Sequence, residues 1–259
     1  MKKVRNIRRR NRFVAFLDIM GTKKLLEQGQ DKRIVQLLES IRNIERDYGT
    51  DDYVRMSFFS DSIILFTIDD GNESFRSILY TCAQIVDHFL TEGFGINGCI
   101  SHGVCTCDYK EGKYITVGKP FANAYQTQEK LWCYGVVIDK HAMKKMHNGG
   151  YSADIEKLLL DTDVELEMPS KTEGWITYTM VNWMEFIQIG NGDMKKQKDD
   201  VKAIVHNLYK KHYNVGKGAI YIQNTEIVMK QWYDFKDSLS QDCAWGKLLY
   251  EEYLSKCPE

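Results

Sequence analysis

Phe13-Val-Ala-Phe-Leu-Asp-Ile19 is apolar at six of its seven positions and lacks any polar alternation, with Arg12 before it and Gly21 just after. A run this short reads as a strand, and one without alternation reads as a strand covered on both faces, hence central in a sheet. It carries one acid, Asp18, at its end. The following Lys23 to Gln28 can begin a helix, and Asp31 to Tyr48 continues with Ile34, Leu37, Leu38, Ile41 and Ile44 at helical spacing. Met56 to Phe59 and Ile63 to Ile68 are strand-like runs around Ser60-Asp-Ser62, whose residue types favour a tight turn. A hairpin with Asp61 at its tip is expected there.

Ser74 to Leu90 places Phe75, Ile78, Leu79, Cys82, Val86 and Phe89 on one helical face. Ile96 to Cys107 and Tyr114 to Val117 flank a second expected hairpin around Gly112, and a helix over Ala122 to Lys130 and a strand over Val136 to Ile138 follow. The order β, α, ββ, α, ββ predicts an α+β fold, ferredoxin-like or palm-like, with an antiparallel or mixed sheet and helices over one face. Beyond Val181-Asn-Trp183 the composition turns to Gly190-Asn-Gly-Asp193 and Lys/Asp-rich sequence through Tyr213, then a helix over Ile220 to Phe235. This divides the chain into a basic tail at 1–12, a main domain at 13–190 and a helical C-terminal appendage at 191–259. The appendage packs on the sheet domain or on a second subunit.

With 43% apolar residues in 259, the chain has material for a sizeable core. The formal charge of −1 gives no global attraction to polyanions or membranes. Lys2, Lys3, Arg5, Arg8, Arg9, Arg10 and Arg12 make the first twelve residues basic, but no aromatic or motif context points to nucleic acid, so a solvated tail is expected. No apolar stretch approaches the ~20 residues of a membrane-crossing helix, and no secretory leader is recognisable; the expected location is the cytoplasm. The seven cysteines include no C-x-x-C pair, and Cys105 and Cys107 lack companions for zinc.

The chemistry concentrates in Phe16-Leu-Asp-Ile-Met-Gly-Thr22 and Phe58-Phe-Ser-Asp-Ser-Ile-Ile64. Each sets one carboxylate at the end of an apolar strand. Burial and mutual repulsion would raise both pKa values unless a divalent cation sits between them. Two hard oxygen ligands, with the Ile19 carbonyl as a third, suit Mg²⁺ or Mn²⁺. Free backbone N–H groups at Gly21 and Thr22 can cradle a triphosphate, with charge added by Lys23 and Lys24. The alternative is that Asp18 caps the next helix and Asp61 makes a turn.

This carboxylate pair resembles the metal-binding strands of class III nucleotidyl cyclases, over Phe13 to about Trp183. Cys99-Ile-Ser-His-Gly103 is similar to the family's core strand, and Gly118-Lys-Pro-Phe-Ala-Asn-Ala-Tyr125 to its strand-to-helix segment. Within the family the resemblance is strongest to the pyrimidine cyclases of bacterial Pycsar antiphage systems, to whose later strands Pro169-Ser-Lys171 and Val181-Asn-Trp183 are also similar.

The resemblance implies a soluble homodimer with shared active sites, two divalent cations (Mn²⁺ or Mg²⁺) on Asp18, Ile19 and Asp61, and cyclisation of UTP or CTP to the 3′,5′-cyclic nucleotide. The product would act on a separate effector during phage infection. The family's transition-state Asn and Arg fall at Ala122 and Gln126, with Asn123 one position off, which makes Asn123 and Gln126 the catalytic candidates here. Its base-selecting positions fall at Ser57 and Ile115, neither of which reads adenine. Tyr125 and Lys171 complete the substrate-binding candidates. An adenylyl or guanylyl cyclase, or a silent nucleotide-binding dimerisation module, are the competing readings.

Overall fold

In a computed structural model the described residues are 8–29, 53–110, 113–149, 159–160, 166–184 and 217–239, with scattered positions in 31–41 and 203–208. The strands are β1 (Arg8–Ile19), β2 (Val54–Phe59), β3 (Ser62–Thr67), β4 (Ile96–Lys110), β5 (Lys113–Gly118), β6 (Gly135–Ile138), β7 (Leu159–Leu160), β8 (Leu166–Ser170) and β9 (Gly174–Val181). The helices are α1 (Thr22–Glu27), α2 (Asn72–Thr91), α3 (Lys119–Lys130), α4 (Lys140–Gly149) and α5 (Lys217–Leu239). Between α1 and β2 only isolated positions of the expected Asp31 to Tyr48 helix are described, and these are helical.

The sheet runs β2-β3-β1-β4-β6-β9-β7, with β5 on β4 and β8 on β9. All pairs in the first four strands are antiparallel, while β4 and β6 run parallel. The mixed α+β fold expected from the sequence is therefore present, with the split βαβ order of ferredoxin-like domains in β2-β3-β1-β4. As its unbroken apolar run requires, β1 is paired on both edges. Because side chains alternate along a strand, Phe13 faces α2, where its ring lies 4.7 Å from Phe75. Phe16 faces the other way, toward Phe121 and Tyr125 of α3. Helices thus cover both faces, not one: Pro120, Ala124 and Gln128 form a buried stripe that docks α3 opposite α2.

The basic stretch is only partly a tail. β1 begins at Arg8, five residues before the apolar run, because β4 is long enough to pair with it from Arg8↔Cys107 onward. Arg12 is buried and its guanidinium donates to the Thr67 carbonyl, so this residue is a structural tie between strands. Residues 1–7 lie outside the described set.

The C-terminal helix belongs to the main core. On α5, Tyr221, Ile222, Val228 and Met229 join the same apolar cluster as β1 and α2. Asn224 donates to the Trp132 carbonyl at 2.7 Å, and the Thr225 hydroxyl accepts from the Tyr134 N–H at 2.8 Å. Burial pushes the neighbouring Glu226 up to about 7 from an ordinary 4.5. A raised carboxylate pKa leaves stability intact at low pH and erodes it as pH rises from about 4.5 through about 7. Glu226→Gln should therefore stabilise the protein at pH 8 by about 1–2 kcal/mol and leave it unchanged at pH 4, read by thermal melts at both pH values.

None of the described helices is long and apolar enough to cross a membrane.

Candidate functional site

Strand register assembles the site. Phe59, Ser62, Asp18 and Asn97 are cross-strand partners in one row, and Ser57, Ile64, Phe16 and Cys99 make the next row on that face. The β2–β3 turn closes with Ser60 at φ 56°, an unusual left-handed conformation for a residue other than glycine. It brings the Asp61 main chain onto β1, where its carbonyl accepts from the Ile19 N–H at 2.9 Å. A strand residue's N–H and C=O point the same way, so the Ile19 carbonyl also faces the turn that bears Asp61.

The Asp61 carboxylate accepts from the Thr22 hydroxyl at 2.7 Å. Thr22 is buried, and Gly21 before it turns the chain at φ 85°. Asp18 is half-buried and receives no hydrogen bond among the described residues; burial first, and then the charge of Asp61, push its pKa to about 6. Lys171 acts in the opposite direction on Asp18. A carboxylate that is desolvated beside a second carboxylate is costly to ionise, and positive charge placed between the two would relieve that cost.

A divalent ion fits these donors. Among the described residues no cluster of three His, Cys, Asp or Glu occurs. Two carboxylates and one carbonyl leave coordination places for water and phosphate oxygen, which is how Mg²⁺ and Mn²⁺ are commonly held.

Other expected residues fall at various distances from this centre. Ser57 lies partly exposed, two residues from Phe59 on the same face. Tyr125 is exposed, with its ring 5.2 Å from Phe16 and its hydroxyl donating to Glu129 at 2.7 Å. Asn123 is half-buried and Gln126 exposed on α3. Lys23 is solvated beside Glu27, 4.0 Å away. Ile115 pairs with Asp108, eleven residues beyond Asn97 on β4, so roughly 35 Å of strand separates it from the Asp18 row within one protomer. Lys171, in the β8–β9 turn, is brought close: its N–H donates to the Lys130 carbonyl at 2.9 Å, and its ammonium stands 5.4 Å from the centre of the Tyr221 ring.

Asn97, Gln128 and Tyr221, all near the site, escaped the sequence reading. Asn97, cross-strand neighbour of Asp18, is fully buried; its Oδ1 accepts from Gln128 at 2.9 Å, and its side chain acts on the Tyr221 phenol, lowering its pKa against the effect of burial. Tyr221 comes from α5, stacks on Tyr134 at 5.3 Å, and has its phenol pushed up by burial and by the nearby Cys133 and Asp18. The sequence placed a helix over Ile220 to Phe235 but not what it would touch.

No protein-family model and no curated protein sequence matches this chain. Solved structures similar to it include the adenylyl cyclase CyaB from P. aeruginosa, at 15% identity and a TM-score of 0.46, covering 67% of this chain and 94% of that one. A Trypanosoma brucei adenylate cyclase in its monomeric state is similar at 14% identity and a TM-score of 0.47, over 66% and 88%. The guanylate cyclase domain of RhGC from Catenaria anguillulae, solved in complex with GTP, is similar at 15% and 0.45, over 66% and 96%.

Proposed function

We propose that this protein is a metal-dependent nucleotide cyclase of the class III type. One observation carries the reading: Asp18, a half-buried carboxylate that receives no hydrogen bond among the described residues, stands beside Asp61 at the end of the central strand pair. Asp18, Asp61 and the Ile19 carbonyl would hold two divalent cations. When bound, these cations lower the pKa of the ribose 3′-hydroxyl and neutralise the triphosphate. Thr22 fixes the Asp61 carboxylate through its 2.7 Å hydrogen bond. Lys171 supplies positive charge on Asp18's side, suited to the phosphates. Gly21 and Lys23 lie at the same chain turn.

The finer reading is a pyrimidine cyclase, forming cyclic UMP or cyclic CMP and diphosphate as a signal to a separate antiphage effector. It rests on the resemblance in the motifs and on the small Ser57 hydroxyl, which can serve one hydrogen bond on a pyrimidine edge. Phe59, 75% exposed, and Tyr125 lie on the Asp18 face, where a base or a second protomer can cover them. A homodimer with shared sites is part of the proposal, since Asn123 and Gln126 would serve the partner's metal centre.

Incubation of the purified protein with each of the four NTPs and Mn²⁺, with products read by mass, tests it directly. UTP or CTP should yield the cyclic monophosphate and diphosphate. Cyclisation of ATP or GTP alone keeps the cyclase and removes the pyrimidine assignment, whereas no cyclic product from any NTP removes both.

A further inference from the structure

Lys171 is a surface lysine in a turn, and a lysine in such a place is ordinarily a freely moving charge. Here its surroundings are built. Its main chain is tied to the end of α3 by the hydrogen bond to the Lys130 carbonyl, and the Ser170 hydroxyl accepts from the Thr172 and Glu173 N–H groups to fix the turn. Its ammonium lies over the face of Tyr221, 5.4 Å from the ring centre and within cation–π reach. That ring is itself clamped: it is 6% exposed, stacked on Tyr134 at an interplanar angle of 16°, with its hydroxyl 3.4 Å from the Leu131 carbonyl. Asn224 and Thr225, on the same helix, hold that helix to the main chain of Trp132 and Tyr134. A rigid aromatic platform thus holds one charged end of a flexible side chain on the Asp18 side of the sheet.

We infer that Tyr221 is a positioning residue that holds the Lys171 ammonium for the triphosphate, which makes the C-terminal helix a working part of the site in the same protomer as Asp18. This rests on the cyclase reading for the identity of the ligand. The ring, not the hydroxyl, does the positioning. Removal of the ring frees the lysine and weakens phosphate binding while leaving in place the carboxylates that would hold the metals.

The test is a double-mutant cycle on the full chain, with Lys171→Ala, Tyr221→Leu, the pair together and Tyr221→Phe. Two readouts apply: calorimetric affinity for inorganic triphosphate without metal, and KM against kcat for the NTP that is turned over. Lys171→Ala and Tyr221→Leu should each weaken triphosphate binding about 5–20-fold. The double variant should be no weaker than Lys171→Ala alone, and Tyr221→Phe should stay within twofold of wild type. KM should rise by a similar factor while kcat changes less than threefold.

The inference is overturned if Tyr221→Leu leaves the affinity unchanged, if its effect multiplies with that of Lys171→Ala, or if wild type does not bind triphosphate. A purely structural role would lower the melting temperature of Tyr221→Leu and multiply in the cycle. Triphosphate coupling in a protein that cyclises no NTP would sustain the Tyr221 assignment and end the cyclase reading, so the two fail separately.

Discussion

Asp18→Asn should abolish cyclisation, by on the order of 10³-fold or more, and at the same time make the metal-free protein more stable at pH 7.5. The two effects share one cause. Burial and the Asp61 charge hold the Asp18 pKa near 6, above its ordinary 3.8. The folded state therefore keeps a proton that the unfolded chain has released, and stability falls as pH rises from about 3.8 through about 6 and stays reduced above. Because the carboxyl is partly solvated, the cost at pH 7.5 is roughly 1–2 kcal/mol after screening. Asparagine removes that cost. Thermal melts in EDTA should show a rise of about 2–6 °C at pH 7.5 and almost none at pH 4. Mn²⁺ should raise the melting temperature of wild type and leave the variant unmoved, because the cation offsets a charge that is no longer there. A variant that melts lower than wild type in EDTA at pH 7.5 would mean that Asp18 is a structural group, and the metal centre would lose its main support.

That Asp18 and Asp61 would come together was legible from the sequence, because each ends an apolar strand run. A carboxylate at the end of an unbroken apolar run is costly, as Asp18 shows, and an acid at a hairpin tip between two such runs stands out in the same way. The run also announced its place in the sheet, since only a strand covered on both faces hides Phe13, Leu17 and Ile19 together with Val14 and Phe16. The strands through β6 followed from hydrophobic runs and turns, whereas β7, β8 and β9 were not read from such runs. Only the ends differed where pairing overrode hydropathy: Arg8 to Arg12 enter β1 because β4 offers a ladder, not because the residues are apolar.

What could not be read is set by long-range packing. Asn97 sits in Ile96-Asn-Gly-Cys99 as an ordinary polar residue, and only the β1–β4 register makes it the neighbour of Asp18. Gln128 is distinguished from Gln126 by the phase of α3. That phase is set by Pro120 and Ala124 facing the sheet, so Gln128 turns inward to Asn97 while Gln126 turns out. Tyr221 is fifty positions after Lys171, and an apolar period of a helix names a face but never a partner. For the same reason the sequence left open whether the C-terminal helix packs on the sheet domain or on a second subunit; its apolar residues join the main core.

The second large effect is expected at a residue with no side chain at all. Gly98 lies opposite Leu17 on β4, one position from Asn97. A Cβ there would stand 2.5 Å from the Phe16 carbonyl oxygen and 3.0 Å from the Leu17 Cα. Both are main-chain atoms of the central strand, so relief requires β1 to separate from β4, and a flexible side chain cannot take up the clash. Gly98→Ala should destabilise the protein by about 3 kcal/mol or more, lowering the melting temperature by roughly 6–12 °C. Gly21→Ala is the contrast. Its Cβ meets open space, and the cost of about 1 kcal/mol comes only from the left-handed φ of 85°. Since Asp18 follows Leu17 directly, the displaced strand should also carry the carboxylate out of register with Asp61. Folded Gly98→Ala protein should then lose most of its Mn²⁺-dependent rise in melting temperature, while Gly21→Ala keeps its own. Equal melting temperatures for the two variants would show that β1 and β4 can part without cost, which the buried Leu17 and Cys99 between the helical layers argue against.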